Sequence, residues 1–463
     1  MAASDLTLAE LHERARELGV ERFRMLTRDE LLEAIEESGA EREGPEGAGD
    51  EDEDERPRRR RRRGRRGGRG RGRAAREPGA GAVEDDEGGG GRRRKRPARE
   101  RPEEGEGPAE GDGGDNEEDD GETQDVTGVL DRMPQGYGFL RLSGLETEKG
   151  DVYVSASQIR RCELRAGDEV KGPARPPRRG ERHRALVRVE SVNGQTPEVE
   201  RVEFEDLTAV APTRRLDLGE GEPLARAIDL LTPLALGQRV LVLAEPRSGR
   251  TTLLRQLART LAKGRAQVRV LLADERPEEV TEWERAVPEA EIAAATADQE
   301  PADQVRTMEL ALGHAKRGAE AGEDVVVIID SLSRLALGYR DPARVKRLFG
   351  AGRELSEEGS GSLTMIATVL DADERGKQVR AALETTENVL IRLDADLAAF
   401  GIVPSLLVRD CRISGEEQLR SPEELEAVRA LRSELAEMDP AEAARELGER
   451  IERTNSNAEL LGS

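Results

Sequence analysis

Aromatic side chains make up 2% of this 463-residue chain, and it has only two cysteines and three histidines. Cys162 and Cys411 lie far apart with no ligand spacing around either. That leaves both a disulfide framework and a zinc site without support. No apolar run approaches the roughly 20 residues of a membrane helix, and Met1–Glu10 lacks a basic stretch followed by a hydrophobic one. The expectation is a cytoplasmic protein with no membrane partner. Few aromatics beside 37% charged residues also mean that part of the chain cannot bury enough apolar surface to offset its ordering entropy.

What is present is charge, arranged in blocks. The net charge of -23 would oppose a polyanion partner, but it averages an acidic run at Asp50–Glu55, an Arg/Gly run at Arg58–Arg73, a basic cluster at Arg92–Arg96 and an acidic run at Asp115–Glu122. Residues 41–121 show no periodicity and read as a disordered linker. Its Arg/Gly stretch is either a sequence-tolerant RNA contact or a solvated spacer. Before it, residues 1–40 predict a helical pair. Leu8, Leu11, Ala15 and Leu18 repeat at helical spacing, as do Leu31, Leu32 and Ile35, and Thr7 with Glu10 and Thr27 with Glu30 form capping-box patterns.

Over residues 122–196, short strand-like runs alternate with Gly and Pro turns: Val129-Leu130, Gly138–Leu142, Asp151–Val154, Asp168–Val170 and Ala185–Val189. This predicts a small five-stranded barrel. Tyr137 and Phe139, at alternate positions within Gly136-Tyr137-Gly138-Phe139-Leu140-Arg141, are expected to face one side as a base-stacking platform.

From 197 to 463 the pattern becomes α/β, predicting a parallel sheet wrapped by helices, with C-terminal helices. Apolar strands are expected at Arg239–Leu243, Val268–Leu272, Val325–Ile329, Leu363–Val369 and Val389–Leu393, with helices between them. A last helix is expected after Ser421, with Leu425, Val428, Leu431 and Leu435 on one stripe. The first strand runs into Ala244-Glu245-Pro246-Arg247-Ser248-Gly249-Arg250-Thr251-Thr252 and then a helical run. Strand, tight turn and helix N-terminus make a phosphate-binding loop, because backbone N–H groups and the helix dipole converge on an anion. The usual first Gly is Ala244 and the usual Lys is Arg250. Val325–Ile329 ends in Asp330, a carboxylate placed to hold Mg2+ together with Thr251.

These motifs resemble the bacterial transcription termination factor Rho family over most of residues 126–460. The likeness is carried by Gly136–Arg141, Asp151–Ser155, Ser157–Arg161, Arg175–Pro177 with Gly180–His183, Leu236–Arg239, Asp274-Glu275-Arg276-Pro277-Glu278-Glu279-Val280-Thr281 and Gly361–Thr368. The resemblance implies that the barrel is a cold-shock-type OB-fold holding pyrimidine-rich single-stranded RNA and that the α/β part is a RecA-like ATPase core. Its contacts would come from Gly136, Tyr137, Gly138, Phe139, Leu140, Arg141, Asp151, Val152, Tyr153, Glu181, Arg182 and His183, the last standing where the family usually has Tyr. It implies ATP held by Gly237, Gln238, Arg239, Arg247, Ser248, Gly249, Arg250, Thr251, Thr252 and Arg276. Catalysis would fall to Glu275, activating water, and to Arg250. The expected assembly is a homohexameric ring engaging the transcription elongation complex.

Three departures fall on the machinery. Arg250 and Arg247 replace lysines, and guanidinium is not a conservative exchange for ammonium. Gly401, within Phe400-Gly401-Ile402-Val403-Pro404, stands where the family carries an arginine finger, leaving Arg392 or Arg409 as substitutes. The channel loops at Tyr339–Arg347 and Asp371–Lys377 are altered, although Arg344, Lys346, Arg347, Arg375 and Lys377 remain for phosphate contact. The expectation is an RNA-stimulated ATPase and translocase that terminates transcription. The alternative is a hydrolysis-impaired paralogue serving as an RNA-binding or regulatory ring subunit.

Overall fold

A computed structural model describes residues 123–339 and 343–462. The helical pair expected over 1–40 and the linker over 41–121 lie outside the described residues. The first described unit is a β-sheet of β1 (Gln124–Arg132), β2 (Gly138–Arg141), β3 (Val152–Val154), β4 (Glu169–Arg175), β5 (Arg184–Leu186) and β6 (Ser191–Val192). Its order is β1-β2-β3-β5-β4-β6, and β1 also pairs with β4, which closes a five-stranded barrel with β6 appended. Period-two alternation sends Leu130, Leu140, Val152 and Val154 inward, where they pack with Ile159 of helix α1 (Ala156–Arg161). Gly138 has a packing reason: a Cβ there would lie 2.7 Å from Leu130 Cδ1 and 2.9 Å from the Asp131 carbonyl.

Beyond residue 197 the chain builds a second sheet. Its strands are β7 (Ala209–Val210), β8 (Arg239–Ala244), β9 (Gln267–Glu275), β10 (Glu291–Thr296), β11 (Asp324–Asp330), β12 (Arg353–Leu355), β13 (Ser362–Leu370), β14 (Val389–Arg392) and β15 (Arg412–Ile413). The main path is β10-β9-β11-β13-β8-β14-β15, parallel from β10 through β14. The parallel strands are nearly continuous apolar runs because helices cover both faces. Those that position the site are α2 (Pro223–Leu231), α3 (Arg250–Ala262), α4 (Pro277–Ala286), α5 (Pro301–Glu320) and α6 (Leu332–Leu335). The expected C-terminal helix spans Pro422–Glu437, burying Val428, Leu431 and Leu435, and is followed by helices at Pro440–Glu452 and Asn457–Leu461.

The barrel docks on α5. Val129 and Leu145 of the barrel share one apolar cluster with Met308 and Leu312. Arg165 donates to Glu320 at 2.7 Å, and His314 Nδ1 lies 3.0 Å from the Gly167 carbonyl. Cys162 and Cys411 are both free.

Candidate nucleic-acid interface and nucleotide site

On the outer face of the barrel, Phe139 and Tyr153 are direct cross-strand partners. They alternate with the buried Leu140 and Val152, so their rings stand away from the core and are half-buried. Tyr137 precedes β2 in the turn rather than lying on the strand. Its ring still joins the group, 5.8 Å from Phe139 and 5.6 Å from Tyr153. His183 stands edge-on to Phe139 at 5.0 Å, with its Nδ1 buried and without a partner among the described residues. Four rings on one open face form a surface on which unpaired bases can stack.

The remaining residues expected at this site divide into two groups. Exposed Arg182 and half-buried Glu181 border the rings, and Glu181 is engaged by Arg175 at 2.6 and 2.8 Å and by the Arg178 amide. The Arg175 guanidinium brings the Glu181 carboxyl down to about 2, against the opposing effect of burial. Arg141 and Asp151, by contrast, are buried. Arg141 Nε donates to Asp131 at 3.1 Å, its terminal nitrogens pair with Asp131 and Asp151, and its guanidinium carbon lies 5.8 Å from the Phe139 ring centre. This pair therefore supports the platform from beneath. Leu140, Val152 and Gly138 serve the barrel interior with their buried positions, and half-buried Gly136 makes the turn before the rings.

The carboxyl ends of the parallel strands share one edge of the second sheet, the side on which such sheets bind ligands. There β8 ends at Ala244, the loop Glu245–Gly249 turns, and α3 begins at Arg250. The loop is held from behind: Ser405 Oγ donates to the Ser248 carbonyl at 2.7 Å, and the Asp371 amide donates to the Ala244 carbonyl at 3.1 Å. Two strands away β11 delivers Asp330, and β9 delivers Glu275. Asp330 Oδ1 accepts from Thr368 Oγ1 at 2.9 Å and faces Arg250 Nε at 3.1 Å. Burial raises the Asp330 carboxyl above the usual carboxylate range, outweighing the lowering by Arg250 and Thr368. Glu275 is buried and paired with Arg334 of α6, whose guanidinium is held below the usual arginine range by burial and by Arg250 nearby. Arg334 was not foreseen. Its only signal is its position one helical turn after Asp330-Ser331, with Ser331 capping α6.

The structure brings Arg247, Ser248, Gly249, Arg250, Thr251 and Thr252 to this edge, with exposed Arg276 at the start of α4, 2.9 Å from Glu279. It does not bring Gly237, Gln238 and Arg239 there. They sit at the opposite end of β8, about 16 Å away at the ordinary rise per residue. Gln238 Oε1 accepts from the Ala235 amide, and Arg239 donates to the carbonyls of Thr386 and Gly352. The two substitute arginines are engaged within the chain as well. Arg392 Nε faces Asp410 at 3.6 Å, and Arg409 donates to the Met438 carbonyl at 3.0 Å. Arg344, Lys346, Arg347, Arg375 and Lys377 are exposed.

Magnesium seeks several oxygen ligands around one open point. Beside a phosphate loop it is held by one or two carboxylates together with substrate phosphates, and the carboxylate expected here, Asp330, already faces the Arg250 guanidinium. The residues present therefore fit the ion poorly. No helix among the described residues is long and apolar enough to cross a membrane.

Three family models match this chain. Residues 126–198 match the family described as "Rho termination factor, RNA-binding domain", residues 225–347 match "ATP synthase alpha/beta family, nucleotide-binding domain", and residues 4–44 match "Rho termination factor, N-terminal domain". The chain is 38% identical to transcription termination factor Rho of Aquifex aeolicus over 366 residues, covering 73% of this chain and 84% of the relative. It is 38% identical to that of Chromobacterium violaceum over 378 residues, covering 75% and 90%, and 38% identical to that of Bacillus subtilis over 363 residues, covering 73% and 84%. With an aromatic RNA-binding barrel docked on an ATPase-type nucleotide-binding domain, the chain belongs to the transcription termination factor Rho family.

Proposed function

We propose that this protein is an RNA-stimulated ATPase that moves along nascent transcripts and terminates transcription. The observation that carries the reading is the joining of two sites in one packed unit: the four-ring face of the barrel and the phosphate loop of the sheet, connected through α5. Pyrimidine-rich single strands suit the platform, since small bases stack on half-buried rings and Arg182 stands beside them to meet phosphate.

At the other site the loop amides and the start of α3 receive the triphosphate, and Arg247 and Arg250 add positive charge. Glu275 is the base that orients and deprotonates the attacking water, with Arg334 fixing its carboxylate. Asp330 and Thr251 are the residues that would meet Mg2+, but with Arg250 between the carboxylate and the crevice no step is assigned to the ion. The assembly we infer is a homohexamer in the cytoplasm, threaded by RNA and acting on the elongation complex. Phe400 and Val403, 78% and 61% exposed, flank Gly401 at the position that the family resemblance places at a subunit boundary.

The test is ATP turnover by the full chain with and without oligocytidine. Stimulation by RNA that disappears in Glu275→Ala is the expected result. Turnover equal to that of Glu275→Ala under both conditions would reject the ATPase reading and leave the RNA-binding subunit in its place.

A further inference from the structure

The end of the phosphate loop carries an arginine, and the arrangement around it determines what that arginine does. Arg250 opens α3, so its side chain starts where the loop amides and the helix dipole meet an anion. The chain does not extend into solvent. It is 12% exposed, and its Nε lies 3.1 Å from Asp330 Oδ1, the oxygen that also accepts from Thr368. The second carboxylate of the crevice, Glu275, is paired with Arg334. Asp330 and Glu275 therefore each face a guanidinium group.

Lysine would make this arrangement less well. An ammonium is a compact charge whose three donors radiate from one atom, so it fills less of the space between carboxylate and phosphates. A guanidinium has a fork of five donors in fixed directions. With Nε on Asp330, its terminal nitrogens remain to meet phosphate oxygens, where Arg–phosphate pairing is strong. The position between carboxylate and phosphate is the one a divalent cation takes in phosphate-loop proteins. A cation placed beside a fixed positive charge in a partly buried site is repelled.

We infer that Arg250 takes the place of the divalent cation between Asp330 and the nucleotide, so that this chain binds nucleoside triphosphate without metal. The inference rests on the nucleotide-binding reading above and adds that the site does not need the metal to hold the nucleotide. It concerns binding, and turnover is a separate readout.

The experiment titrates the full chain with a fluorescent N-methylanthraniloyl ATP in excess Mg2+ and again in excess EDTA. The dissociation constant is expected to change by less than about threefold between the two conditions. In Arg250→Lys, affinity should instead fall about tenfold or more when EDTA is added. A wild-type chain that loses about tenfold in EDTA overturns the inference, as does a lysine variant as indifferent to metal as the wild type. No binding in either condition overturns the nucleotide reading itself, a different result from metal dependence. A second measurement needs no variant. By linkage, Mn2+ followed by electron paramagnetic resonance should bind the protein–ATP complex no more tightly than free ATP. Binding about tenfold tighter to the complex would overturn the inference.

Discussion

Arg306, on the helix of the ATPase domain that receives the barrel, reaches Asp131 of the barrel at 2.9 Å. Asp131 at the same time holds Arg141 under the Phe139 ring. One carboxylate thus links the support of the RNA platform to the nucleotide-binding domain. The two partners differ in burial, and that sets what each contributes. Asp131→Ala leaves Arg141 buried with Asp151 alone and should destabilise the protein by about 3 kcal/mol. Arg306→Ala removes a side chain that is 42% exposed, and should cost about 1 kcal/mol or less. Urea denaturation of the two variants checks the contrast, and equal losses would contradict it.

Ring loss on the platform should weaken RNA without unfolding the barrel. Tyr137→Ala and Phe139→Ala are each expected to cost about 1 to 3 kcal/mol in oligocytidine affinity, read by fluorescence anisotropy. His183→Tyr adds ring area 5.0 Å from Phe139 and should tighten binding several-fold. Unchanged affinity in both alanine variants would return the rings to a packing role.

Gly167 marks the closest approach between the two domains. A Cβ there would lie 2.4 Å from the carbonyl carbon of Gly313 and 2.5 Å from the amide nitrogen of His314, and its φ is +88°. Neither backbone atom can move alone, so Gly167→Ala should cost about 2 kcal/mol or more and expose the segment between the domains to limited proteolysis. Gly144→Ala is the control, having a positive φ but open space around its Cβ. It should cost about 1 kcal/mol.

His314 gives the same interface a pH dependence. Burial holds its imidazole below the ordinary range, Arg269 adds to that, and Glu291 and Glu169 oppose it. The folded form therefore keeps the ring neutral while the unfolded chain takes a proton near pH 6.5, roughly. Its contribution is complete above that unfolded value and is lost as pH falls from there towards the depressed folded value. Melting temperatures from neutral to mildly acid pH should fall more steeply for the natural chain than for His314→Gln. Parallel curves would refute the assignment.

How much of this was legible in the residues depended on what each signal carries. The parallel strands β8, β9, β11, β13 and β14 announced themselves as apolar runs, and Asp330 followed from its place at the end of one of them. Strand β10 did not, because Glu291-Ile292-Ala293-Ala294-Ala295-Thr296 is rich in alanine, a residue depleted in strands. Only pairing with β9 makes it a strand. The distance of Gly237–Arg239 from the loop was not legible, because proximity along the chain to a phosphate loop says nothing about which end of a strand a residue occupies. Arg141 alternates outward as expected, but Asp131 and Asp151 close over it, and a single-strand pattern cannot report side chains from neighbouring strands. Arg334 escaped notice because its role arises from one turn of helix folding back towards another strand's end.

The lone tryptophan, Trp283, is buried on α4, the helix that follows Asp274-Glu275-Arg276, with the Arg255 guanidinium 5.4 Å from its ring centre. Two of the three tyrosines, Tyr137 and Tyr153, stand in the RNA platform at the far side of α5. The single indole therefore lies in the nucleotide-binding domain, and its ultraviolet emission follows the unfolding of that domain without an attached dye.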